Sequence, residues 1–383
     1  MEAYLDNSAT TKPYDEVVEA VVLSLTDEFG NPSSAHKRGF DIEKKIRQIR
    51  KKIASTIKAD EKNIFFTSGG TEGNNAIIRS AVKQSKKKNH IITTKIEHPS
   101  VLKTMEDLEK EGYEVTYLNV DEFGVINIEE LKKSLCDRTC LVSIMFVNNE
   151  IGSIQPIKEI ADILKSYPDV RFHVDAVQAY GKINFNVRNL EVDYLSVSGH
   201  KIHGPKGIGF MYIKDISKFK PLITGGGQEF GIRPGTENVS GIYGLGKAVD
   251  ILFEDIDKKI DEIKTLRNYL CKQISSKIKD IKINSNIEDG VCHILNISFE
   301  DVKGEALLHY LGDDGVYVSI GSACSSKKKG SHVLKAIGLK DNLIDGTIRF
   351  SLSDLTTKEE IDYAVEKLCV YVDTIRLLSR KKR

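Results

Sequence analysis

The sequence predicts an α/β protein: a mainly parallel sheet of seven strands covered by helices on both faces, with a smaller α+β domain beyond it. Three observations carry this prediction. Between about residues 40 and 250, strand-like and helix-like segments alternate, as a sheet of parallel strands joined by helices requires. After Gly246 the alternation gives way to a long charged helical stretch and then to mixed elements. A chain of 383 residues is also long enough to bury a substantial core in two domains.

Residues 40–58, with Lys, Arg and Ile at helical spacing, read as a helix that opens the alternation. Strand-like runs follow at 63–67, 90–94, 114–120, 140–147, 171–175, 194–198 and 207–213. Helical stretches at 72–84, 101–111, 128–134 and 157–167 separate most of them. The stretch 247–278 reads as one long connecting helix. Then come a strand at 293–299, a helix at 304–311, a strand at 316–319 and a terminal helix at 358–378. The first dozen residues precede the main alternation and are expected to pack with this second unit. The expected division is a large domain over residues 13–250 and a small domain made of 1–12 with 251–383. The closing Arg-Lys-Lys-Arg reads as a solvated tail.

Composition narrows the class of function. Apolar residues make up 40% and charged residues 29%, ordinary values for a globular chain. The formal net charge of +1 gives no global argument for nucleic acid or an acidic lipid surface as a partner. No apolar run approaches membrane-spanning length, and the polar start MEAYLDNSATT does not read as a signal peptide. Six scattered cysteines suit a reducing cytoplasm better than a disulfide framework. Cys136 and Cys140 find no second Cys/His pair of matching spacing, so no metal is expected.

The chemistry gathers around SVSGHKIHGPKG, residues 196–207. A buried-strand pattern over 192–197 delivers Lys201 to a strand end, where open α/β sheets place their ligands. A lysine amine that forms an imine with an aldehyde must be held at one spot and be partly neutral, and Lys is a side chain whose basicity can be lowered for that task. Ser198 and His200 beside it offer hydrogen bonds to a phosphate, the arrangement that anchors pyridoxal 5′-phosphate. A phosphate cup is legible in Thr67-Ser68-Gly69-Gly70-Thr71, where a strand turns into a helix. Glycines let backbone approach a phosphate, and free amides at a helix start favour an anion. Read alone, the same stretch is equally a plain capped turn.

Asp175, ending the strand in FHVDAVQA, suits a protonated pyridine nitrogen, because a carboxylate there would be costly to bury unpaired. Gln178, three residues on, is placed to bond the ring's phenolic oxygen. His98, in IEHPSV, follows a strand and precedes a helix, where an imidazole can stack on the ring and move protons. Cys324 sits in IGSACSS among small residues, with Lys327, Lys328 and Lys329 close by to favour the thiolate. Arg349, in the strand-like TIRFSLS, can clamp a carboxylate with two parallel hydrogen bonds, and Asn149 in VNNEIG can assist. The other five cysteines have ordinary contexts and are assigned no role.

With these motifs in order, the chain resembles the cysteine desulfurases of the NifS/IscS type, in the class V aminotransferase group of fold-type I pyridoxal-phosphate enzymes. The likeness runs from YLDNSATT (4–11) to IRFSLS (348–353). Between them stand FGNPSSAH (29–36), TSGGTEGNN (67–75), EHPSV (97–101), VNNEIG (147–152), HVDAVQ (173–178), SGHKIHGPKG (198–207), GGGQEFGIRPGTEN (225–238) and GSACSS (321–326). The resemblance implies Lys201 as the lysine that binds the cofactor covalently and Gly70, Thr71, Ser198 and His200 around its phosphate. It implies that Thr236 reaches the phosphate of a neighbouring subunit, hence a homodimer with shared sites. Asp175 would face the ring nitrogen, Gln178 and His98 the ring, and Asn149 and Arg349 the substrate carboxylate.

The implied reaction converts L-cysteine to L-alanine, with Lys201 as base at Cα, His98 moving protons near the sulfur, and Cys324 taking the sulfur as a persulfide. The implied receiver is a sulfur-acceptor protein, such as an iron–sulfur scaffold or a thiolation enzyme. Two departures stand out. The stretch 324–333 is Lys-rich and slightly shorter than the family's common form, and Ser353 stands where many members have Gly. The rival readings are a lyase acting on selenocysteine or cysteine sulfinate, and a non-catalytic scaffold for sulfur assembly.

Overall fold

The computed structural model describes residues 1–85, 88–320 and 330–380. Cys324, Lys327, Lys328, Lys329 and the last three residues of the chain lie outside the described residues. The chain opens with β1 (Ala3–Tyr4), α1 (Asp15–Thr26) and α2 (Lys37–Thr56). Next come β2 (Ile64–Thr67), α3 (Gly70–Gln84), β3 (His90–Thr94), α4 (Pro99–Lys110) and β4 (Glu114–Leu118). The alternation continues through α5 (Ile128–Ser134), β5 (Thr139–Met145), α6 (Ile157–Leu164) and β6 (Arg171–Asp175). It closes with α7 (Val187–Leu190), β7 (Tyr194–Ser198) and β8 (Gly209–Ile213).

These strands form one seven-stranded sheet in the order β2-β8-β7-β6-β5-β3-β4. Only β8 runs against its neighbours, pairing antiparallel with both β2 and β7. The remaining adjacent pairs are parallel. As a result β2, β3, β5, β6 and β7 all end on one edge of the sheet. Thr67, Thr94, Met145, Asp175 and Ser198 are their last residues, on the edge where open α/β sheets bind ligands.

Side-chain alternation along the strands feeds two cores, one on each face. Phe65, Ile91 and Leu141 pack with Ile77 and Ala81 of α3 and Val101 and Met105 of α4. Ile64, Phe66, Ile92 and Val142 point the other way, into the core that holds Ile46 and Ile53 of α2 and Ile160 of α6. Apart from the edge strand β4, where only Leu118 is buried, the strands are therefore buried on both faces, as parallel sheets are.

Beyond the sheet the structure departs from the expected single helix over 247–278. Two helices stand there, α8 (Val239–Glu254) and α9 (Ile256–Lys277), separated at Asp255, whose φ of −136° and ψ of 51° are not helical. The Asn238 side chain accepts from the Gly241 amide and starts α8 a full two turns earlier than expected. Helix α1, not among the helices the sequence predicts, packs against α8.

The rest comprises β9 (Ile281–Ile283), β10 (Ile294–Phe299), α10 (Gly304–Asp313), β11 (Val316–Tyr317), α11 (His332–Ala336), α12 (Asp341–Ile344), β12 (Thr347–Ser351) and α13 (Lys358–Arg380). Strands β12, β10 and β9 form an antiparallel sheet. The N-terminal segment joins this part: β1 pairs parallel with β11, and Asp6 bridges to Ser351. Among the described residues, no helix is long and apolar enough to cross a membrane.

Candidate active site

The turn from β2 into α3 makes a tight anion cradle. Gly69 has φ of +149°, a conformation open to glycine, and α3 has no side-chain cap at its N-terminus. A Cβ on Gly70 would stand 2.6 Å from Val177 Cγ2, so only glycine fits there. On the far side, a Cβ on Gly209 would meet Val197 O at 2.3 Å and Gly69 Cα at 2.9 Å. Ser198 is buried against this turn, its Oγ 3.4 Å from the Cβ position of Gly69. Thr71 is exposed in the first turn of α3.

Past Ser198 the chain makes a short 3-10 turn, Gly199–Lys201. There Lys201 Nζ donates to the carbonyls of Ser8 and Ala9, each at 2.6 Å. His200 Nδ1 lies 3.2 Å from Thr10 Oγ1. Its pKa is pushed down to about 4, first by burial and then by the positive charges of Lys201 and Lys206. At neutral pH it is a neutral hydrogen-bonding ring. The N-terminal segment 8–10, part of the YLDNSATT motif to which the sequence analysis assigned no site residue, thus lines the site.

Asp175, buried at the end of β6, accepts from the Val177 amide at 3.0 Å and from Asn74 Nδ2 at 2.7 Å. Asn74 also donates to Ser100 Oγ at 2.8 Å, which in turn lies 2.8 Å from His98 Nδ1. Because His98 Nδ1 is an acceptor here, taking the Ser100 amide proton, the Ser100 hydroxyl is the donor in this contact. His98 Nδ1 also accepts from the Ser100 amide at 3.1 Å, so the ring's proton is on Nε2 when it is neutral. Burial is the main force lowering the His98 pKa; Asp175 opposes it, and Lys201 and His332 add to it. Asn74 Oδ1 accepts from Ser196 Oγ, and Ser196 leads on to His173, whose pKa burial pushes down to about 3. Asn74 and Ser100 therefore fix Asp175 and His98 relative to each other, and the sequence reading named neither. One signal was available: Asn74 falls one helical turn after Gly70 and so shares its face.

Gln178 is buried, with Nε2 donating to Ser8 O at 3.0 Å. Arg349, on β12, is 5% exposed and reaches toward the same edge. Its Nη1 donates to the main-chain carbonyl of Asn149 at 2.9 Å, and its Nη2 to Asp6 Oδ1 at 2.6 Å. Asn149 thus meets Arg349 through its backbone. The buried Nε of Arg349 has no hydrogen-bond partner among the described residues. Thr236 is exposed on the segment before α8. That segment is tied to the cradle by Arg233, which donates to Glu72 Oε1 at 2.8 Å, while Glu72 Oε2 accepts from the Ser68 amide at 2.8 Å.

The described cysteines offer no competing nucleophile at this edge. Burial raises the thiol pKa of Cys140 to about 11 and pushes those of Cys271, Cys292 and Cys369 upward. Among the described residues no cluster of His, Cys, Asp and Glu could hold a metal ion.

The model of the class V aminotransferase family matches residues 3–364. A protein of Nostoc sp. named cysteine desulfurase is 46% identical over 377 residues, covering 98% of this chain and 94% of its own. The chain belongs to the cysteine desulfurases of the class V aminotransferase family. Among solved structures, a NifS-like protein superposes with a TM-score of 0.92 at 39% identity, covering 98% of this chain and all of that one. A structure titled SspA in complex with cysteine matches with a TM-score of 0.83 at 35% identity, covering 93% of this chain and 100% of that one. Cysteine desulfurases of this family depend on pyridoxal 5′-phosphate, as the sequence motifs led one to expect.

Proposed function

We propose that this cysteine desulfurase converts L-cysteine to L-alanine with pyridoxal 5′-phosphate, passing the sulfur to Cys324 as a persulfide and then to an acceptor protein. The observation that carries the reading is the meeting, at one sheet edge, of Lys201 with the hydrogen-bonded series Asp175–Asn74–Ser100–His98. The residues present fit the cofactor. An uncapped helix start between close-packed glycines, with Ser198, His200 and Thr71 around it, suits the phosphate. Asp175 suits a protonated ring nitrogen, Gln178 the phenolic oxygen, and His98 the ring face. When bound, the cofactor supplies a sink for the electrons of the broken Cα–H bond.

The chain's own residues do the rest. Arg349 holds the substrate carboxylate with N–H donors that its bonds to Asn149 O and Asp6 Oδ1 leave over, and Asn149 assists. Lys201 takes the proton from Cα. His98, neutral with its proton on Nε2, exchanges a proton near the substrate sulfur. The Cys324 thiolate forms the S–S bond as the substrate's Cβ–S bond breaks. In sum, L-cysteine and a thiol give L-alanine and a persulfide, with no outside oxidant or reductant needed.

The assembly is a homodimer in which Thr236 completes the partner's phosphate site, and what supports it is an exposed apolar stripe on α1. Residues 13–250 form the cofactor domain, and 1–12 with 251–383 the smaller one. The acceptor is an iron–sulfur scaffold or a thiolation enzyme, and the compartment the reducing cytoplasm.

The test begins with the visible spectrum of the purified protein, before and after L-cysteine. A cofactor band that responds to cysteine and is absent in Lys201→Ala, with L-alanine formed, is the expected result. Cysteine turnover retained in Cys324→Ser would remove the persulfide step, and a wild-type protein unable to take up the cofactor would remove the whole reading.

A further inference from the structure

Gln178 has a partner from a distant part of the chain. His293 lies just before β10, is 1% exposed, and anchors its own carbonyl by accepting from the Leu352 amide at 2.9 Å. From there its Nε2 reaches 3.3 Å from Gln178 Oε1. The orientation of the Gln178 amide follows from chemistry. Ser8 O can only accept, and it takes hydrogen bonds from both Gln178 Nε2 at 3.0 Å and Lys201 Nζ at 2.6 Å. The amide nitrogen therefore faces Ser8 and the amide oxygen faces His293. An amide oxygen can only accept, so His293 carries its proton on Nε2. The ring is neutral: burial, then the positive charges of Lys182, Arg349, Arg267 and Lys201, hold its pKa well below the ordinary value. Its Nδ1 is buried with no hydrogen-bond partner among the described residues, so among them the Gln178 bond is the one its ring makes.

We propose that His293 is the positioning residue for Gln178, fixing from the C-terminal antiparallel sheet the direction of the amide that faces the cofactor ring. This deepens the reading above and rests on it. One N–H of Gln178 is committed to Ser8; the orientation that His293 enforces leaves the second free for the ring's phenolic oxygen. Without the imidazole, Gln178 Oε1 is a buried acceptor left unpaired, and such groups are costly enough to drive a side chain out of place.

The experiment compares His293→Asn with His293→Gln in the full-length protein. An Asn amide nitrogen stands where Nδ1 was and falls short of Gln178, whereas a Gln amide nitrogen stands where Nε2 was. Titration of the cofactor-depleted protein with pyridoxal 5′-phosphate gives its dissociation constant, and the visible band reports the ring's surroundings. The expected result is about tenfold weaker binding in His293→Asn, ~1.4 kcal/mol, with a displaced band. His293→Gln should restore both to within about threefold, ~0.65 kcal/mol. In a Gln178→Ala background, His293→Asn should change the affinity less than about twofold.

Equal loss in both backgrounds would overturn the inference, because His293 would then act by another route. So would an unchanged band and affinity in His293→Asn beside a wild-type protein that binds normally. A wild-type protein without a cofactor band would instead remove the functional reading, and this inference with it.

Discussion

Asn74 is the residue on which the site's internal order depends most. Its amide donates to Asp175 and Ser100 at once, and its oxygen takes the Ser196 proton. Asn74→Ala strips one donor from a buried carboxylate and leaves Ser100 free to turn away from His98. Hydrogen bonds to charged groups are worth about 1.5–3 kcal/mol, so kcat/KM for cysteine should fall roughly 10- to 100-fold. Steady-state kinetics on the cofactor-loaded variant measure it, and an unchanged kcat/KM would remove Asn74 from the site's framework. Lys201 and Asp175 were legible because each stands at a strand end in a recognisable motif. Asn74 was not, since a polar residue inside a helical pattern reads as surface until its buried partners are seen. A second residue-scale effect concerns Glu97, fully buried and bonded to Thr94 Oγ1 and the Met145 amide. Burial raises its pKa to about 8 in the folded chain, against 4.5 as a free side chain. The folded state therefore holds more protons than the unfolded state between those values, and stability falls as pH rises through that window. The buried histidines His173 and His200 pull the other way, adding stability as pH rises, but only up to about 6.5. Between about pH 6.5 and 8 the wild-type protein should lose up to ~1.4 kcal/mol per pH unit through Glu97. Denaturant unfolding across that range should show a slope that flattens in Glu97→Gln.

The β2–α3 turn is built by elements pressed together, so a small change in one should be repaired by a change in the other. Gly70→Ala places a methyl group 2.6 Å from Val177 Cγ2, on the turn that follows β6. Either the start of α3 or the Asp175 turn must move, and both belong to the proposed cofactor site. Binding of pyridoxal 5′-phosphate should weaken about tenfold, the cost of ~1.4 kcal/mol that such overpacking brings. Val177→Ala in the same chain removes the colliding methyl and should recover most of the affinity by equilibrium titration. No recovery would place the role of Gly70 in its backbone alone. At this scale the sequence was clear about which segments are strands, because apolar patterning marks burial. It predicted a mainly parallel sheet without singling out β8, which follows β7 after a short turn with no crossover helix and proved antiparallel. Nor did it show the break at Asp255, where helical spacing runs through 247–278 although one residue leaves helical geometry.

For the whole molecule, the question is what covers α1. One side of this helix packs on α8, with Val17 and Ser24 buried. The other carries Val18, Val22 and Leu25, which are 50%, 51% and 64% exposed. Their spacing of four and then three residues puts them in one stripe, and Phe29 continues it beyond the helix at 65% exposure. A contiguous apolar stripe of this kind on a soluble surface marks an interface. The proposed homodimer gives it an occupant, and the same assembly would bring Thr236 of one subunit to the phosphate of the other. The two features make one joint prediction. Val22→Asp with Leu25→Asp puts two charges where the dimer would bury apolar surface, so sedimentation should find the variant as a monomer and the wild type as a dimer. Because a monomer lacks the second subunit's Thr236, its affinity for pyridoxal 5′-phosphate should fall at least as far as in Thr236→Ala. A variant that dissociates yet binds the cofactor as tightly as wild type would separate the interface from the site. Thr236 would then serve only its own subunit, and each chain would be complete by itself.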